Sequence, residues 1–142
     1  MAQIIEFVGN HPFLFLALFT VAGILAWTFM GDLMHGLKKL PPPETVRMMN
    51  HEDALVLDIR EIGEYEKGHI VNSMNIPSSQ LKGRLKRIEK YKKKPVIIHA
   101  GTSQQVNEAG DLLKENNFEQ LYGLKGGLAA WQEASLPLVT GR

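Results

Sequence analysis

A chain of 142 residues, 44% hydrophobic and 22% charged, has room for one soluble domain plus an accessory segment, and this composition excludes global disorder. A formal net charge of +1 gives no overall reason to expect a nucleic-acid partner, and no DNA is expected. The chain has no cysteine, which removes disulfides, cysteine-ligated zinc, iron–sulfur clusters and every reaction that needs a thiolate nucleophile.

Residues 1–12 form a short flank, and from Phe13 to Gly31 the chain carries no charged residue. As a helix this segment is about 28 Å long, close to the roughly 30 Å hydrocarbon core of a bilayer. Its polar side chains, Thr20 and Thr28, can bond back to helical carbonyls, and Trp27 lies toward one end, where aromatic residues favour the membrane interface. The flank MAQIIEFVGNHP has no Lys or Arg and no small-residue cleavage site follows the span, so a retained transmembrane anchor is expected rather than a cleaved signal peptide. Val21, Gly23 and Ala26 are small enough to allow close approach of another helix. Lys38, Lys39 and Arg47 follow the span, while Glu6 and His11 precede it. The positive side stays in the cytoplasm, which predicts a single-pass protein of the bacterial inner membrane with its domain facing inward. Residues 32–43, which include KKLPPP, read as a stiff extended linker.

From Glu44 the pattern alternates. Thr45–Asn50 predicts a short helix, Ala54–Asp58 a buried strand, Glu61–Gly68 a helical turn and Ser73–Pro77 a brief strand. Leu81, Leu85 and Ile88 share one face of an expected helix over Ser79–Tyr91, weakened by Gly83. Pro95–His99 is a second buried strand, Ser103–Asn116 a helix with Val106, Ala109 and Leu113 inward, Glu119–Leu124 a strand and Gly127–Ala134 the last helix. Strands apolar on both faces with helices between them imply a mainly parallel sheet covered on both sides. Ligands of such folds bind at the carboxyl ends of strands, here the loops after Asp58 and His99.

The run DIREIGEYEKGHIVNSMNIP (Asp58 to Pro77) and the close LYGLKGGLAAWQEASLPL (Leu121 to Leu138) resemble the two signatures of the rhodanese-domain family, and PVIIHAGTSQQ lies where that family has its catalytic loop. The anchored arrangement resembles the membrane-bound single-domain rhodanese-like proteins of Gram-negative bacteria, the YibN-like group. The resemblance implies a rhodanese-like α/β domain over 44–138, with a tail at 139–142. It implies that Asp58, Arg60, Glu64 and Tyr65 fix the loop and helix beside the site, and that Gly68 permits a tight helix exit. It further implies that His69 holds a buried turn and that Gly126, Gly127 and Trp131 pack the last helix.

The family's sulfur transfer starts from a cysteine at the head of that loop, which this chain replaces with Ala100; the usual arginine five residues on is Gln105. A methyl group cannot carry a persulfide, so no catalytic residue is assigned. The degenerate loop is Ala100, Gly101, Thr102, Ser103, Gln104 and Gln105, with Ser103 expected to cap the following helix. A Ser-His-Asp hydrolase would need a base within reach of Thr102 or Ser103. The five histidines, 11, 35, 51, 69 and 99, lack metal-ligand spacing. No cofactor or metal is expected.

Eight cations, Lys82, Arg84, Lys86, Arg87, Lys90, Lys92, Lys93 and Lys94, fall in thirteen residues with one acid, Glu89, giving that stretch +7 and the remainder −6. This is the solvated face of an amphipathic helix, a contact for anionic lipid headgroups, or a contact for an acidic protein or RNA surface. The expectation is an inactive rhodanese-like module that binds or scaffolds a membrane-protein partner. The alternative is an accessory of a sulfurtransferase pathway that relies on a partner's cysteine.

Overall fold

The computed structural model describes residues 2–142, which divide into two compact units at Gly36 and Leu37. The first holds α1 (Ala2–Asn10) and α2 (Pro12–His35). From Pro12 to Met30, α2 is long and apolar enough to cross a membrane, with no residue of that span buried. Thr20 Oγ1 donates to Leu16 O at 2.7 Å and Thr28 Oγ1 to Ile24 O at 2.8 Å, so both hydroxyls are satisfied inside the helix, as an apolar solvent requires.

The second unit is an α/β fold around a parallel sheet, as the sequence pattern predicts. In chain order it comprises β1 (Lys38–Leu40), α3 (Pro42–His51), β2 (Leu55–Asp58), α4 (Ile62–Lys67), β3 (His69–Ile70), β4 (Met74–Asn75), α5 (Ser78–Leu81), a 3₁₀ helix (Leu85–Tyr91), β5 (Pro95–His99), α6 (Ser103–Glu115), β6 (Gln120–Leu124), α7 (Gly127–Glu133) and β7 (Leu138–Val139). Five strands form one sheet in the order β1-β6-β5-β2-β4, parallel at every pairing. β3 and β7 make a separate antiparallel pair.

Successive strand residues point to opposite faces, and the core divides accordingly. Leu55, Leu57, Val96 and Ile98 pack with Ile88, Val106 and Leu113 on one face, under α5, the 3₁₀ helix and α6. Val56 and Ile97 pack with Leu40, Leu124 and Trp131 on the other, under α3 and α7. Because both faces are covered, β2 and β5 are buried at every position.

Four expectations change. Residues 32–43 are not a free linker leading to a domain at 44: Lys38–Leu40 is the edge strand beside β6, Leu40 is 1% exposed, and Pro42 opens α3. The prolines supply a fixed φ suited to a helix's first turn rather than a spacer. Residues 79–91 are not one helix, because a turn at Gly83 separates the single turn α5 from the 3₁₀ helix. Leu81 and Ile88 remain buried through the break. Residues 139–142 are not a loose tail, since Val139 pairs with His69 and Gly141 N donates to Glu66 O at 2.9 Å. Gly68 has φ 169°, extended backbone open to any residue, and a Cβ there would meet only Leu138 Cδ1 at 3.7 Å. No conformational demand for glycine exists at that exit.

Candidate functional site

β2 and β5 lie side by side in register, with Asp58 opposite His99, so their carboxyl ends deliver two loops to one rim. On the first, Asp58 is 1% exposed and receives Arg60 twice. The Arg60 backbone N–H donates to Oδ1 at 3.0 Å, and the guanidinium donates through Nε at 3.0 and 3.1 Å and through Nη2 at 2.7 Å. Nη2 also reaches Gly68 O at 2.8 Å. Asn75 Nδ2 bridges the carbonyls of Asp58 and Arg60 at 3.0 and 2.9 Å. A buried ion pair whose guanidinium also holds the Gly68 carbonyl fixes the loop's course.

The neighbouring turn is held by two rings. Tyr65 OH donates to Ser73 O at 2.9 Å, His69 Nδ1 lies 2.8 Å from Tyr65 O, and the rings stack with centroids 3.7 Å apart and planes 10° from parallel. The His69 Nδ1 and the Tyr65 hydroxyl thus both serve the turn. Glu64 does not take part in this clamp: its exposed carboxylate pairs with Lys67 at 2.8 Å, which holds it below the usual carboxylate range.

On the second rim, Ala100 follows β5 directly and packs half-buried against the core. The cap of α6 is Thr102 rather than Ser103, and its Oγ1 accepts from Gln105 N at 3.2 Å. Ser103 Oγ instead receives Lys39 Nζ at 3.2 Å. Among the described residues neither hydroxyl bonds to a histidine. Gln104 bonds Glu108 at 2.9 Å on the outer face of α6, and Gln105 is exposed.

An open cleft of about 550 Å³ faces this loop, with Lys39 and Arg60 among its walls. Gly126 and Gly127 close its far side in the left-handed region, at φ 73° and 59°. A Cβ on Gly126 would lie 2.6 Å from Ala130 Cβ, so α7 can start here only from glycine. Trp131, 3% exposed, anchors α7 and donates Nε1–H to Pro137 O at 3.1 Å. His99 enters the cleft wall with its Nε2 buried and without a hydrogen-bond partner. Burial pushes its pKa below the ordinary 6.5, against the nearby Asp58 carboxylate and with the nearby Arg60.

Sequence reasoning missed Lys39 because a strand of three residues is too short to show periodicity. The one available signal was Leu40, an apolar residue set between lysines and prolines. Among the described residues no cluster of three His, Asp or Glu side chains could hold a metal.

The basic stretch does not form one continuous face. Lys94 bonds Asp53, which lowers the Asp53 pKa and raises that of Lys94, and Lys92 lies 3.9 Å from Glu89. Lys90 and Lys94 flank the Tyr91 ring at 5.1 and 5.7 Å. Lys82, Arg84, Lys86, Arg87 and Lys93 are exposed.

A five-stranded parallel sheet, a loop between β5 and α6 at its carboxyl rim, and the Asp58–Arg60 clamp define the class. The rhodanese-like domain model matches residues 41–134, and the chain belongs to that family. At the level of particular relatives, the chain is 36% identical to the uncharacterized protein YibN of Escherichia coli (strain K12) over 143 residues, covering 100% of both. It is 29% identical to the thiosulfate sulfurtransferase GlpE of Pseudoalteromonas translucida over 97 residues, 68% of this chain and 90% of that one. A rhodanese-related protein from Thermoplasma volcanium superposes with a TM-score of 0.63 at 25% identity, over 73% of this chain and 99% of the other.

Proposed function

We propose that this chain is a membrane-anchored, catalytically inactive rhodanese-like module that binds or scaffolds a partner protein at the bacterial inner membrane, with its domain in the cytoplasm. The observation that carries the reading is Ala100: the Thr102 cap and the Asp58–Arg60 clamp surround a position that holds a methyl group, in a chain without cysteine. A scaffold kept in order around an inert centre serves recognition. The apolar helix Pro12–Met30 supplies the anchor, and the lysines that follow it favour the inward orientation.

A second reading, an accessory in sulfur transfer that relies on a partner's cysteine, draws support from Lys39, a cation in the wall of the cleft beside Ala100. Affinity capture from solubilised membranes tests the binding reading, comparing the native chain with one whose residues 13–31 are replaced by an unrelated anchor. A partner recovered in stoichiometric amount with both chains is expected. Loss of every partner from the foreign-anchor chain would overturn recognition by the domain. A captured partner that carries a reactive cysteine, lost on Lys39→Gln, would favour the accessory reading.

A further inference from the structure

At β4 the five-stranded sheet ends, and between that edge, α4 and the 3₁₀ helix lies a groove of about 600 Å³ that shares no lining residue with the Ala100 cleft. Its chemistry follows from the 3₁₀ winding. With three residues per turn, positions i and i+3 stack in line, so the segment presents three distinct ridges. Leu85, Ile88 and Tyr91 form the inward ridge. Lys86, Glu89 and Lys92 form a second, where Glu89 neutralises Lys92. Arg84, at the cap, begins the third, which continues through Arg87 to Lys90; Arg84 and Arg87 stand in the groove wall. Among the described residues neither guanidinium has an ion-pair partner. The same groove is lined by Ile62, 43% exposed, by Met74, and by Glu66, whose carboxylate is paired with Arg142 at 2.8 Å.

We propose that this groove binds an extended acidic segment of a partner protein, whose carboxylates at alternate positions are received by Arg84 and Arg87. The proposal rests on the binding-module reading and gives it a surface. Residues three apart on a 3₁₀ helix are separated by about 6 Å along the axis, and same-side residues of an extended chain by about 6.7 Å, so the two spacings match. A guanidinium fork pairs with a carboxylate through two parallel hydrogen bonds. The exposed cations near it, Lys82, Lys86, Lys90 and Lys93, draw in a negative segment, and Ile62 with Met74 receives an apolar side chain beside the acids. A flat lipid headgroup layer meets protruding lysines such as Lys82, Lys86 and Lys93, whereas a groove wall suits a narrow chain.

The test uses the full chain in phosphatidylcholine nanodiscs, titrated into a short fluorescein-labelled peptide with glutamate at alternate positions and followed by anisotropy. A peptide of the same composition with its glutamates contiguous, and phosphatidylglycerol vesicles, are the comparison probes. Saturable binding is expected, weakened about tenfold or more by Arg84→Gln/Arg87→Gln and less than about twofold by Lys86→Gln/Lys93→Gln, which removes the same charge away from the groove. Equal loss in both double variants, equal affinity for the contiguous peptide, absence of saturable binding, or Arg84- and Arg87-dependent binding of vesicles alone would each overturn the proposal. A partner still captured from membranes by the arginine double variant would remove the groove and leave the module reading standing.

Discussion

By the family resemblance, Ala100 and Gln105 stand where a nucleophile and a cation are expected, and residues around them have structural tasks. Gly126 shows how strict those tasks are: at φ 73°, with a Cβ clash at 2.6 Å, Gly126→Ala should cost about 1–3 kcal/mol. Urea unfolding of the full chain in detergent measures it, and a midpoint equal to the native one would contradict the geometry. His99 makes a prediction about pH. Burial lowers its folded pKa below 6.5, so as pH falls the unfolded chain takes up the proton first. The stabilisation is fully present above about pH 6.5 and is lost as pH falls through the lower folded value. The urea midpoint should drop between about pH 7.5 and about pH 5, and His99→Gln should flatten that slope; equal slopes would place the proton-linked group elsewhere.

Elements differ in how plainly the sequence announces them. β2 and β5 are continuous apolar runs because helices cover both faces of the sheet, so their hydrophobicity is unmistakable. α6 carries Val106, Ala109 and Leu113 at helical spacing and all three are buried. β1, β3 and β7 escaped notice because strands of two or three residues have no measurable period, and their pairing is decided by distant partners. The break at Gly83 was concealed because Leu81, Leu85 and Ile88 satisfy helical spacing even though the chain turns between them. At the site, Asp58, Arg60, Tyr65 and His69 were legible through a long motif, while Lys39 depends on β1 and was not. Leu40 tests that strand: Leu40→Ala should cost about 2–5 kcal/mol, whereas exposed Lys38→Ala should fall within about 0.5 kcal/mol. Equal, negligible effects on the urea midpoint would return residues 38–40 to the status of a spacer.

Across the whole molecule, charge and apolarity are segregated rather than averaged. A net +1 conceals +7 over residues 82–94 against −6 elsewhere, and the ordinary hydrophobic content conceals a concentrated span from Pro12 to Met30. The loop after β5 carries Ala100 and Gln105 where the family resemblance implies a cysteine and an arginine. The proposed function is recognition without catalysis. The most direct measurement is transfer of sulfur from thiosulfate to cyanide by the full chain in detergent, beside Ala100→Cys. The account predicts no turnover above the blank for the native chain and weak turnover for Ala100→Cys, which regains a thiol while Gln105 still withholds the loop's cation. Turnover by the native chain would contradict it.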